Sequence, residues 1–132
     1  MRAVTYIGHE SGMKSLLEAS ENLAFYAALK GRFLCPDDAA IAAALERFDL
    51  LPLSGRRCGD LSAGQQSKLS LCRLLVEDTA LWLLDEPATA LDNRAKAALE
   101  ACLDEHLARG GVAVVATHQP LRLRREPRAL CL

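Results

Sequence analysis

The sequence predicts an α/β fold, a mostly parallel sheet with a helical subdomain, and three observations carry that prediction. Two short, almost wholly apolar runs, LWLLDEP at 81–87 and VAVVATH at 112–118, end in polar residues. Parallel strands look like this when a ligand sits outside their carboxyl ends. A segment with helical character separates the two runs, so strand, helix and strand alternate. The middle of the chain, residues 16–50, repeats its apolar positions at helical spacing and shows no strand pattern.

In order, VTYI is β-branched at Val4, Thr5 and Ile7 and is broken by Gly8, which predicts a first strand running into a loop that carries His9. Leu17, Leu23, Ala24, Ala27 and Ala28 predict a helix over residues 16–30. A second helix, over 37–50, follows Pro36 and begins with the acidic pair Asp37 and Asp38, which suits a helix N-terminus. Pro52, Gly55 and Gly59 make LPLSGRRCG a loop. The third helix should begin near Ser62 and end at Glu77 or Asp78. LWLLDEP then reads as a strand buried on both faces, followed by a helix over 92–108 that Gly110 and Gly111 stop. A second buried strand covers 112–117, and RALCL at 128–132 adds a short last one. No repeat, low-complexity tract or linker divides the chain.

The 132 residues are 51% hydrophobic with a net charge of -1, enough for one domain with a sizeable core and a poor match to a nucleic-acid partner. Five cysteines, Cys35, Cys58, Cys72, Cys102 and Cys131, are odd in number and form no CxxC pair, so neither a disulfide framework nor a zinc site is expected. A reducing cytoplasm is the simplest home. No apolar run approaches the roughly 20 residues of a membrane helix, and MRAVTYIGHE lacks a signal-peptide plan, so membrane contact is expected through a partner.

The chemistry lies at the starts of helices and the ends of strands. Ser62 and Gly64 open a helix, where unpaired N–H groups and the dipole favour an anion, although an isolated Ser-Ala-Gly more often just caps its own helix. Asp85 and Glu86 stand where a strand meets solvent. There one carboxylate can hold a hydrated magnesium ion while its neighbour faces an attacking water; in isolation, the pair would be a solvated strand end. Successive strand residues point opposite ways, so the two acids can address different partners. His118 ends the next strand and could polarise a phosphoryl group, whereas His106 sits late in a helix where a cation suits the dipole.

Taken together and in this order, these elements resemble the C-terminal half of an ABC-type P-loop ATPase domain. LSAGQ resembles the signature motif, LWLLDE the Walker B motif with its catalytic glutamate, ALD at 90–92 the D-loop, and Thr117-His118 the H-loop. YIGHESGMKSLLEASENLAFY, the reading LSAGQQ and the continuation ATHQPL are similar to the ATP-binding subunits of bacterial haem exporters used in cytochrome c maturation. The resemblance divides residues 1–132 into a Q-loop strand and loop (1–12), a helical subdomain (13–60) and a signature, Walker B, D-loop and H-loop part (61–132). It implies ATP and Mg2+ as cofactors, with Glu86 as base toward water and His118 on the γ-phosphate. It places Ser62, Ala63, Gly64 and Gln65 on a partner's nucleotide, Asp85 on magnesium through water, and His9 at the Q-loop glutamine position. Asp92 would couple two sites.

The implied partners are a second ATPase subunit and membrane-spanning exporter subunits, at the cytoplasmic face of the bacterial inner membrane. The family's GxxxxGK[ST] loop does not occur in these residues. The expectation is therefore a chain that starts after that loop, is inactive alone, and has exposed apolar faces and strand edges. Two other readings are a non-catalytic partner that lends its signature turn to a complete ATPase, and a soluble ABC ATPase outside transport. Cys35-Pro36 invites haem ligation but is explained as a helix start, and the arginines at 122, 124, 125 and 128 as a solvated turn.

Overall fold

In the computed structural model, which describes residues 4–30 and 38–129, three parallel strands lie side by side in chain order. They are β1 (Val4–Ile7), β2 (Leu81–Asp85) and β3 (Val112–Ala116). The register aligns Thr5, Trp82 and Ala113 in one row and Ile7, Leu84 and Val115 in another. Side chains alternate along a strand, so these rows share a face, and Tyr6, Leu83 and Val114 form a row on the other.

Four helices, α1 (Ala19–Leu29), α2 (Asp38–Arg47), α3 (Ala63–Glu77) and α4 (Asn93–Ala108), accompany the sheet. Helix α3 packs on β1 and α4 on β3, with α1 and α2 against α3. These contacts cover the Trp82 face alone. Trp82 and Leu84 are 1% and 2% exposed, whereas Val112 and Val114 are 56% and 51% exposed. The expectation that both apolar runs are buried on two faces is therefore corrected: among the described residues, every helix that meets the sheet covers the same side. The outer edges of β1 and β3 carry no further strand among those residues.

Local chemistry moves several boundaries. Helix α1 begins at Ala19 because the Glu21 carboxylate accepts the Glu18 N–H at 2.9 Å, while Leu17 closes a turn onto the Lys14 carbonyl at 3.1 Å. Helix α2 ends at Arg47, short of Leu50. Asp49 turns left-handed, its N–H meeting the Glu46 carbonyl at 3.1 Å, and the Leu50 N–H meets the Leu45 carbonyl at 2.8 Å. That is a Schellman closure, with Leu45 and Leu50 both buried. Residues 51–59, expected as a loop, wind together with Asp60 into two single 3-10 turns, Leu51–Leu53 and Cys58–Asp60. Residues 128–129 have no regular structure, and the rest of RALCL, together with Cys35, Pro36 and Asp37, lies outside the described residues.

Two buried groups fasten the layers. Glu77, on the last turn of α3, accepts from Arg73 Nε at 2.5 Å and Thr5 Oγ1 at 3.2 Å, with Lys30 Nζ 3.7 Å away. Two cations and a hydroxyl thus compensate one buried carboxylate. His106 is a core group, stacked flat on Trp82 with ring centroids 3.7 Å apart and Nε2 3.1 Å from the Val112 carbonyl. A Cβ at Gly111 would fall 2.3 Å from that ring, so the turn into β3 needs glycine.

Candidate functional site

The turn at Ser62 is built locally. Ser62 is the N-cap of α3; its Oγ accepts the Gln65 N–H at 3.1 Å, and the Gln65 side chain accepts the Ser62 N–H at 2.9 Å. The capping box occupies both side chains. It leaves the amides of Ala63 and Gly64 with no acceptor among the described residues, at the positive end of a 15-residue helix. A Cβ on Gly64 would lie 3.5 Å from the Ala90 carbonyl, an ordinary contact, so packing inside this chain does not demand the glycine. Asp92 caps α4, its Oδ1 accepting the Ala95 N–H at 2.8 Å and its Oδ2 standing 3.6 Å from Lys68 Nζ. The Ala95 hydrogen bond first, and then Lys68, hold its carboxyl below the usual aspartate value.

The strand ends form a second group. Glu86 leaves β2 in the left-handed region, φ 48°, held there by its N–H on the Ala116 carbonyl at 2.7 Å. Its carboxylate lies 3.4 Å from His118 Nε2 and accepts the His118 backbone N–H at 3.4 Å. Glu86 and His9 line one cleft of about 220 Å³, together with Ser11, Ser67, Ser70 and Thr89. Asp85 instead flanks the open sheet face beside Tyr6, Leu83 and Val114. Adjacent carboxylates therefore address different spaces, because Asp85 ends the strand and Glu86 turns left-handed out of it.

The structure thus brings His9, Glu86 and His118 together, with Asp85 next to them in the chain. Ser62, Ala63 and Gln65 do not line that cleft, and Asp92 pairs away from it with Lys68. The two groups meet at the turn after β2: Ala90, left-handed at φ 66°, lines the cleft while its carbonyl faces Gly64. Sequence reasoning missed Ser67, Ser70 and Lys68. Two serines three apart on an otherwise leucine-rich helix were the available signal. Among the described residues no three His, Cys, Asp or Glu groups converge on a metal.

Residues 1–89 match the family model described as ABC transporter. Among curated relatives, the cytochrome c biogenesis ATP-binding export protein CcmA of Roseobacter denitrificans is 47% identical over 121 residues, covering 92% of this chain and 56% of the relative. The protein of the same name from Methylococcus capsulatus is 43% identical over 129 residues, covering 98% of this chain and 61% of the relative. The chain thus spans little more than half the length of these relatives. The ATP-binding cassette MJ0796, solved as a dimer in a post-hydrolysis state bound to ADP and Pi, superposes with a TM-score of 0.79 at 23% identity, over 89% of this chain and 53% of that one; the likeness shows the fold. On the family match over residues 1–89, the chain belongs to the ABC transporter family of ATP-binding proteins.

Proposed function

We propose that this chain supplies the signature, Walker B and H-loop side of an ATP-hydrolysing site in the ATP-binding subunit of the haem exporter for cytochrome c maturation. One observation carries the reading: Glu86 is turned out of β2 into a cleft shared with His9 and paired with His118. A glutamate so placed serves as general base toward a water, and His118, almost fully exposed, is free to meet a γ-phosphate. Asp85 would hold magnesium through water, and His9, from the Glu86 cleft, would sense it. Magnesium, when bound, supplies charge neutralisation on the phosphates.

Ser62 and Gln65 set the geometry of the turn, and the amides of Ala63 and Gly64 receive phosphate from the nucleotide of a second ATPase subunit. Asp92, through Lys68 and the Ala90 turn, couples that turn to the Glu86 cleft. Residues 1–12, 13–60 and 61–132 act as Q-loop, helical and signature-to-H-loop parts. No helix among the described residues is long and apolar enough to cross a membrane. In this reading membrane-spanning exporter subunits carry the transport path, and this chain docks at the cytoplasmic face. With no phosphate-binding loop in these 132 residues, hydrolysis needs such a loop placed opposite Glu86.

The test is a chimera in which a GxxxxGK[ST]-bearing half-domain of the family precedes residues 1–132. It should hydrolyse ATP, and Glu86→Gln should lower kcat by about 10²-fold or more. Turnover unchanged by Glu86→Gln would remove the proposed base. The transport assignment is checked by haem attachment to a c-type cytochrome in cells that depend on the chimera.

A further inference from the structure

The loop from β1 to α1 has a fastened half and a free half. In the fastened half, the Ser11 carbonyl accepts the Ser70 hydroxyl at 3.1 Å and the Gly12 carbonyl accepts the Tyr26 hydroxyl. Lys14 exchanges two bonds with one side chain: its N–H donates to Asn22 Oδ1 at 2.8 Å, and its carbonyl accepts from Asn22 Nδ2 at 3.1 Å. These anchors of residues 11–14 come from α1 and α3 and none from the sheet, while farther along the loop the Ser15 and Leu17 carbonyls accept the Gly59 and Cys58 N–H groups at 3.0 Å. In the free half, His9 and Glu10 are exposed and make no side-chain hydrogen bond among the described residues, and His9 faces the Glu86 cleft.

The anchors are themselves held. Asn22 is fully buried, and its amide also lies 2.8 Å from Cys58 Sγ. Asparagine is a poor helix former and its amide is costly to bury, so its place in α1 is explained by its bonds, to Lys14 in the loop and to the Leu17 and Glu18 carbonyls where the helix starts. The Tyr26 ring lies under the Arg73 guanidinium, 4.0 Å from its centroid, and Arg73 in turn binds Glu77. The fastening therefore reaches α3 twice, through Ser70 and through Arg73, and α3 begins with the signature turn.

We propose that Asn22 and Tyr26 are positioning residues for His9. They fix residues 11–14 to the α1–α3 pair, so that the imidazole is held at the mouth of the Glu86 cleft. The proposal rests on the reading of that cleft as the hydrolytic site.

The experiment is NMR on the isotopically labelled 132-residue chain and its Asn22→Ala and Tyr26→Phe variants. It follows amide exchange at Lys14 relative to Leu69 and Leu71 in α3, and the His9 ring Cε1–H resonance. Asn22→Ala should raise Lys14 exchange about tenfold beyond any change at Leu69 and Leu71, and move the His9 resonance. Tyr26→Phe keeps the ring under Arg73 and removes only the bond to Gly12. It should perturb the Met13 amide and move the His9 resonance in the same direction. Exchange at Lys14 that rises only in step with Leu69 and Leu71, or a His9 resonance unmoved in both variants, overturns the proposal. Failure of the underlying reading appears separately, as ATP turnover of the chimera unchanged by His9→Ala while the Lys14 and His9 signals still respond to Asn22→Ala.

Discussion

The two faces of the sheet are made by alternate residues of the same three strands, yet they are held by different forces. On the covered face Trp82 lies against His106, Leu84 is buried, and Thr5 is tied to Glu77. On the open face Tyr6, Leu83 and Val114 form an apolar row across the three strands, with Asp85 beside it at the end of β2. The difference shows that an apolar run reveals what a strand is able to bury, whereas the helices decide which side is covered. It also separates the two acids: Glu86 turns into the cleft under α3, and Asp85 stays with the open face.

Truncation tests the contrast most severely. Trp82→Ala should destabilise the chain by about 3–5 kcal/mol, because a large side chain is lost from a site that cannot collapse against a stacked imidazole and packed helices. Part of that loss is offset, since Trp82 Nε1 is buried without a hydrogen-bond partner among the described residues. Urea unfolding followed by circular dichroism measures it. A cost below about 1 kcal/mol would mean that the covered face is loosely packed and the contrast between faces is small.

A second effect is confined to the helices behind the covered face. Burial pushes the Cys72 and Cys102 thiols above the ordinary cysteine value, with the Cys102 rise moderated by Arg47. A raised folded value favours the protonated thiol, so its contribution is complete below the unfolded value near 8.5 and is lost as pH rises toward the folded ones. Stability should therefore fall above about pH 8.5, and Cys72→Ala with Cys102→Ala should flatten that fall. Urea midpoints between pH 7 and 10 provide the check, and an unchanged alkaline slope in the double variant would assign the loss elsewhere.

Much of the site was legible because its signals are local. Ser62 and Gln65 form a capping box within four residues, Asp92 caps the next helix in the same way, and the apolar runs announce strands whose ends carry Glu86 and His118. The left-handed backbone at Glu86 and Ala90 was not legible, since neither residue favours it; register with β3 imposes it on Glu86 through the Ala116 carbonyl. Ser67, Ser70 and Lys68 gain their meaning only where α3 passes the turn after β2. The start of α1 was misplaced because Leu16 and Leu17 fit the helical period, while Glu21 and Asn22 bond to the backbone just before the helix and set its first turn.

The smallest effect on stability tests the open face directly. Val114 is about half exposed in the middle of β3, so Val114→Thr keeps the β-branched shape and should change unfolding free energy by no more than about 0.5 kcal/mol. Its effect on association should be larger. Tyr6, Leu83 and Val114 are aligned across the three strands, and an exposed apolar row beside unpaired strand edges promotes self-association. Sedimentation velocity over a concentration series should show less association for Val114→Thr than for the parent chain. A destabilisation comparable to that of Trp82→Ala would mean instead that this face is covered in solution and that Val114 lies in a second core.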